Sequence, residues 1–323
     1  MFQVEPIIWL QSFESPLITW LMSTVSLLGY SMVYGILISI ITFGINLRKG
    51  LAIFMILAIG GIMTDGLKRG LKLPRPSDID VRVIEPGQEP SGRLVDLGGA
   101  NSFWSLPSVE AIEAAKIQTN WSYGLPSGHV SAATAFLLGL FFFYRKRGLL
   151  IFSVCWIILM ALSRMYLGRH FIADVIGGMF VGGLAVLIAA WLFKSLEIES
   201  YKKLHPPAFL RIACFVIPLV LLTPLIELLD ADNVGRLFGL IVAYFVINRL
   251  GQNSDAGKIW SRVARIFIAV IVSLVLYLAI NFMIDAISWE DTQMADLVTT
   301  FLLTGPPFLV SFIILRRLNF YRN

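Results

Sequence analysis

The sequence predicts an all-α fold, a polytopic membrane helical bundle of about nine transmembrane helices with an exoplasmic N-terminus and a cytoplasmic C-terminus. Three observations predict it. The 323 residues are 57% hydrophobic and only 15% charged, with a mean hydropathy of +0.78, a balance that an ordinary soluble domain of this length does not show. Apolar runs close to the length a helix needs to cross the hydrocarbon layer recur along the whole chain. The connectors between those runs are basic on every second turn, which fixes the cytoplasmic side.

The first run covers 18–44. Glu5 and Glu14 precede it without a basic residue, so no cleavable signal peptide is expected there. The second covers 51–67, and the third, short, 130–144. The fourth and fifth, 149–167 and 171–193, are separated by a brief polar turn. Runs at 208–229, 234–247, 264–287 and 297–315 complete the count, the one at 234–247 again short. Cys155 and Cys214 fall inside these runs and read as small buried hydrophobes, with neither a disulfide framework nor a thiolate metal site in prospect.

One side collects Arg48 and Lys49; Arg145, Lys146 and Arg147; Lys194, Lys202 and Lys203; Arg249, Lys258, Arg262 and Arg265; and Arg316, Arg317 and Arg322. The net charge of +5 therefore reports orientation and not a nucleic-acid partner. The other side collects the N-terminus, 68–129, 164–170, 230–233 and 288–296, and so carries every unusual polar cluster. Its longest connector, 77–125, mixes Gly, Pro and both charge signs, with Trp104 and Trp121 as headgroup-level anchors. Ser108 there can cap a short helix bearing Glu110 and Glu113 near its positive end, and the connector reads as a lid.

Three stretches on that side carry chemistry. In the first, Lys68 and Arg75-Pro76 lie close to two helical turns apart, so both cations share a face if the second span continues toward Pro74. Taken alone, two such cations would merely snorkel to lipid headgroups. In the second, Pro126-Ser127-Gly128-His129 precedes an apolar run. Ser127 is placed to cap that helix, Gly128 lets a ligand approach the backbone, and the helix start offers amides to an anion. The bland alternative is an ordinary capped helix start. In the third, Ser163-Arg164 is followed by His170 and Asp174, four residues apart and on one face, so the carboxylate can hold one ring nitrogen and leave the other facing outward. Its bland alternative is a charged turn in which Arg169 or Arg164 neutralises Asp174. Of three histidines, only His205, followed by Pro206 and Pro207, falls on the cytoplasmic side and reads as structural.

Together these stretches resemble the signature of the type 2 phosphatidic acid phosphatase superfamily: Lys-x6-Arg-Pro, Pro-Ser-Gly-His and Ser-Arg-x5-His-x3-Asp, complete here from Lys68 to Asp174. That superfamily also includes vanadium-dependent haloperoxidases, whose soluble form the nine spans exclude. The resemblance implies that Lys68, Arg75, Arg164, Ser127 and the Gly128 amide hold a phosphoryl group, that His170 oriented by Asp174 attacks phosphorus, and that His129 protonates the leaving oxygen. It implies no metal and no cofactor, and the sequence offers no carboxylate cluster suited to magnesium.

Domain organisation follows: 1–50 as N-terminal segment and first span, 51–195 as phosphatase core, and 196–323 as four additional helices of unassigned role. Polar positions in or near the latter, Glu227, Asp230, Asn248, Asn281 and Asp285, are expected to form interhelical hydrogen bonds, with substrate access or a dimer contact as alternatives. The expected partners are a phosphorylated lipid and the surrounding membrane lipids, with a homo-oligomer left open. The membrane is a bacterial inner membrane or the endoplasmic reticulum, with the site facing the periplasm or lumen. The layout is also similar to glucose-6-phosphatase, weakly so around 235–276 with Gly257-Lys258, although that family carries Gln at the position of Asp174. Sugar phosphate hydrolysis and lipid phosphotransfer are therefore the alternatives to lipid phosphate hydrolysis.

Overall fold

The computed structural model describes residues 1–87, 93–118, 122–196, 229–250, 257–286 and 292–321. They form twelve helices and no β-strand, with one isolated bridge between Asp80 and Leu97. The helices are α1 (Glu5–Gln11), α2 (Pro16–Leu27), α3 (Ser31–Ser39), α4 (Leu47–Leu71), α5 (Pro76–Ile79), α6 (Val109–Ile117), α7 (Gly128–Tyr144), α8 (Arg147–Tyr166), α9 (Ile172–Leu196), α10 (Ala231–Leu250), α11 (Ile259–Ala286) and α12 (Gln293–Arg317). A π-helical stretch, Ile40–Ile45, extends α3. Among the described residues six helical stretches are long and apolar enough to cross a membrane, seven if the pair that begins with α2 is one span. The protein is therefore a polytopic, all-helical membrane protein.

The run expected at 18–44 is a bent pair of helical stretches, Pro16–Leu27 and Ser31–Ile45. Ser15 caps α2, its hydroxyl accepting from Ile18 N at 3.3 Å, with Pro16 at the first helical position. The helix stops at Leu27, and the pair is bent by 57° across the break. The expected run at 130–144 becomes the 17-residue helix α7, shorter than its neighbours. Of the run at 208–229, residues 208–228 lie outside the described residues, as do Trp121, Lys202, Lys203, His205, Cys214, Glu227 and Arg322.

The chain forms two compact units. The first comprises Met1–Val33 and Met63–Val186. Within it α7 lies against α8 and also against α9, where small residues let the backbones touch. A Cβ added at Gly178 would come within 2.6 Å of Ser127 O, and one at Gly182 within 2.5 Å of Ser131 O. Such close approach lets dispersion and backbone contacts hold helices together where lipid offers no hydrophobic gain. Ser108 does cap α6, accepting from Ala111 N at 3.2 Å, and Glu113 pairs with Lys116 at 2.9 Å. Trp104 is exposed.

The second unit comprises Tyr34–Ile62 and Leu187–Asn323. Its core joins Phe43, Leu47, Leu51 and Met55 to Leu240, Ile247, Phe312 and Leu315. Gly239 and Gly305 bring α10 and α12 into backbone contact. Asp230 caps α10, accepting from Asn233 N and Nδ2 at 3.1 and 2.8 Å. One expectation is corrected: Asn281 donates within its own helix to Tyr277 O at 2.8 Å. A local carbonyl or amide satisfies such groups at less entropic cost than a distant partner. Cys155, expected to be buried, is exposed on α8, because that position falls on the face turned away from the core.

The α7–α9 seam makes a prediction. Gly182→Ala should lower the thermal midpoint of the detergent-solubilised protein, overpacking there costing about 1–3 kcal/mol. Gly183→Ala, whose Cβ would meet nothing within 4 Å, should leave it in place. Equal midpoints for the two variants would show that the seam does not depend on this close approach.

Candidate active site

The third stretch is built around a helix cap. α9 begins at Ile172, so His170 stands one residue before the cap residue Phe171 and not within the helix as the spacing suggested. Asp174, at the third helical position, reaches back: its Oδ2 accepts from Phe171 N at 2.9 Å and lies 3.3 Å from His170 Nδ1. One carboxylate oxygen thus closes the cap and holds the imidazole, the second contact being long, as such contacts often are without a ligand. His170 is 2% exposed and Asp174 0%. The contact between a neutral ring and the carboxylate is a hydrogen bond from Nδ1–H, which leaves Nε2 as the nitrogen free for chemistry.

The backbone of Asp174 does a second task. Its carbonyl accepts from Ser127 N at 2.8 Å, which ties the second stretch to the third. Ser127 occupies the cap position of α7, but the expected side-chain cap is not made. Its hydroxyl is buried without a hydrogen-bond partner among the described residues. Gly128 follows. A Cβ there would meet only Thr64 Cγ2 at 3.8 Å and Lys68 Nζ at 4.0 Å, so packing does not demand glycine while the lysine ammonium stands close by.

Arg75 arrives by a different route from the one the spacing suggested. α4 ends at Leu71, Lys72 takes a left-handed conformation with φ of 50°, and Arg75 is the cap residue of the short helix α5. The two cations share the site through this turn and not through a continuous helical face. Arg75 Nη2 donates to Ser122 Oγ and its amide to Asp78 Oδ2 at 3.2 Å. Arg164, on the last turn of α8 and 6% exposed, donates from Nη1 to Ser26 Oγ. Arg169 pairs with Glu85 at 3.0 Å and does not neutralise Asp174.

All eight candidate residues fall in the first unit. Burial lowers the pKa of His170 well below its ordinary value, and the positive charges of Arg164, Arg75 and Lys68 together with His129 push it further the same way. Arg164, Lys68 and Arg75 also act on His129. The geometry is thus a cup with three cations and two imidazoles. Buried Arg75 Nε, Arg164 Nε, Ser127 Oγ and His129 Nε2 all lack a hydrogen-bond partner among the described residues. Donors of this kind can be satisfied by the acceptor oxygens of an anion.

The sequence reading missed the contribution of the N-terminal segment. Ser26, Gly29 and Tyr30 reach Arg164 and His129 from the break in the first span. Gln11 clamps the turn before His170, its Nε2 donating to Ile84 O and Tyr166 O at 2.8 Å each. None of these residues is charged or sits in a spaced motif, and only the unexplained Gly29 within an apolar run could have signalled a close approach.

Comparison with known proteins adds a family. Residues 49–197 match the PAP2 superfamily, and residues 231–314 match the transmembrane extension of PAP2 superfamily phosphatases. The chain is similar to the lipid A 4'-phosphatase of Bacteroides thetaiotaomicron, 35% identical over 71 residues that make up 22% of this chain and 30% of that protein. It is similar to human sphingosine-1-phosphate phosphatase 2, 29% identical over 121 residues, 35% of this chain and 30% of that protein. Mouse sphingosine-1-phosphate phosphatase 1 is 32% identical over 92 residues, 26% of this chain and 21% of that protein. The matched stretches therefore span less than a third of each relative's length. No solved structure matches the chain.

The cup sets the charge state of His170. Its burial and cationic surroundings favour the neutral ring, so the proton is taken up only as pH falls well below the ordinary 6.5. In 15N-histidine NMR of the ligand-free protein, one imidazole absent from His170→Gln should stay neutral as pH falls below 6.5, where an ordinary imidazole takes up its proton. Titration of that signal at or above 6.5 would contradict the arrangement.

Proposed function

The chain belongs to the PAP2 superfamily, and from that premise we propose that it is an integral-membrane phosphatase that hydrolyses a phosphorylated lipid through a phosphohistidine on His170. The observation that carries this reading is the convergence of Lys68, Arg75, Arg164 and His129 on a buried His170 held by Asp174. In this reading the three cations and Ser127 take the phosphoryl oxygens. They stabilise charge in a transition state that is mostly a matter of position and electrostatics.

His170 Nε2 attacks phosphorus in line, the P–N bond forming as the ester P–O bond breaks. The leaving oxygen takes its proton from His129. Water then attacks phosphorus and gives a proton to His129, while the P–N electron pair returns to His170 and inorganic phosphate leaves. Asp174 keeps Nδ1 protonated throughout, so that Nε2 carries the lone pair.

A lipid is the favoured substrate class for two reasons. The basic connectors assign the site to the exoplasmic surface, at headgroup depth, where the phosphate of a lipid lies while its tail stays in hydrocarbon. Two of the proteins to which the chain is similar are named for lipid A and sphingosine-1-phosphate, both phosphorylated lipids. The reading retains nine spans, with 51–195 as the catalytic core and the C-terminus in the cytoplasm.

His170→Ala should abolish phosphate release from the purified protein, and Asp174→Asn should lower it by about two to four orders of magnitude without reaching zero. Turnover by the alanine variant would remove the nucleophile, and a wild-type rate in the asparagine variant would reduce Asp174 to a structural cap. A panel of phosphatidate, sphingoid phosphate, polyprenyl pyrophosphate and glucose-6-phosphate should favour a lipid. Preference for the sugar phosphate would overturn the substrate class, and phosphate release that requires an added acceptor lipid would overturn hydrolysis in favour of transfer.

A further inference from the structure

The two imidazoles of the cup are held in different ways. His170 has a carboxylate; His129, whose Nε2 is buried without a partner among the described residues, has packing. Its ring lies edge to face against Tyr30, with centroids 4.9 Å apart and planes at 77°. A second close contact comes from Gly29, where an added Cβ would come within 2.5 Å of His129 Cδ2 and 3.2 Å of Cγ, with Met160 Cε at 3.0 Å. Both residues belong to the break between α2 and α3, just beyond Ser26, which holds Arg164. The end of α2 and this break therefore touch two site residues, Arg164 and His129, that the Asp174 carboxylate does not hold.

We propose that Tyr30, seated by Gly29, is a positioning residue that fixes the His129 imidazole for proton transfer to the leaving oxygen. The inference rests on the phosphatase reading above and deepens it. An imidazole without a hydrogen-bonded partner can rotate about its side-chain torsions, and a misdirected ring loses the alignment that proton transfer requires. The Tyr30 ring removes that freedom from one side. The absence of a side chain at Gly29 leaves the space into which the His129 ring fits. Tyr30 is itself 52% exposed and so is not a core residue.

Leaving-group dependence separates positioning from mere stability. An alkyl phosphate such as a lipid phosphate needs a proton on its departing oxygen, whereas p-nitrophenyl phosphate expels a stable phenolate and needs little acid catalysis. With full-length protein in detergent micelles, Tyr30→Leu and Gly29→Ala should each lower the ratio of kcat on the lipid phosphate to kcat on p-nitrophenyl phosphate by about tenfold, a fraction of what general acid catalysis supplies. Tyr30→Phe, which retains the ring, should recover most of that ratio. If Gly29→Ala does not fold, Tyr30→Leu carries the test alone. An unchanged ratio in Tyr30→Leu, whether both rates hold or both fall together, would overturn the proposal. His129→Ala distinguishes the two levels: a ratio unchanged in that variant would remove His129 as the acid and with it the parent reading, independently of Tyr30.

Discussion

Everything in the site depends on how one buried aspartate distributes its acceptors. Asp174 sits at the third position of α9, and its Oδ2 takes both the Phe171 amide and the His170 ring nitrogen, while its main-chain carbonyl takes the Ser127 amide. A carboxylate removed from water is tolerated only with hydrogen bonds and opposite charge around it. Here the cap supplies the first, and Lys68 and Arg75 act on it electrostatically as the second. The same group therefore starts a helix, orients an imidazole and registers α7 against α9. An account that treats it solely as a partner of His170 leaves out the reason the second stretch arrives at the right place.

The α7–α9 seam completes that registration. Gly178 and Gly182 remove the side chains that would hold the helices apart, so the Ser127–Gly128 corner and the His170 turn come into contact range within the first unit. The N-terminal segment adds restraint from another side. Gln11 binds the Tyr166 carbonyl and both backbone groups of Ile84, and Gly168, with φ of +69°, makes the turn that leads to His170. Rigid support of this kind matters because phosphoryl transfer relies on placement more than on covalent assistance. Within the second unit the same devices recur for packing alone: Gly239 against Gly305, and the fully buried Arg265 with its guanidinium 4.9 Å from the Tyr321 ring centre.

The membrane character of the fold was legible, and the eight candidate residues could be singled out, because each leaves a mark in one dimension. Apolar length marks a helix that spans, and the spacing of Lys68, Arg75, His129, Arg164, His170 and Asp174 marks charges that an apolar setting does not tolerate idly. What the sequence could not convey was the geometry that joins them. Arg75 reaches the cup through a left-handed Lys72 and a fresh helix start, a turn that no periodicity encodes. Ser127 looked like a cap, but its hydroxyl makes no cap bond, while its amide is taken by a carbonyl 47 positions away. The break at Leu28 to Tyr30 was hidden within an apolar run, since its residues carry no charge, and so the contribution of the first span to the site was invisible.

The central claim is that this cup makes His170 a nucleophile, and trapping the intermediate tests it most directly. Rapid acid-free quenching of the purified protein after mixing with a 32P-labelled lipid phosphate should leave a base-stable, acid-labile phosphoryl group on the peptide that contains His170. Label absent under single-turnover conditions, or label found on His129 or on a carboxylate, would contradict the account.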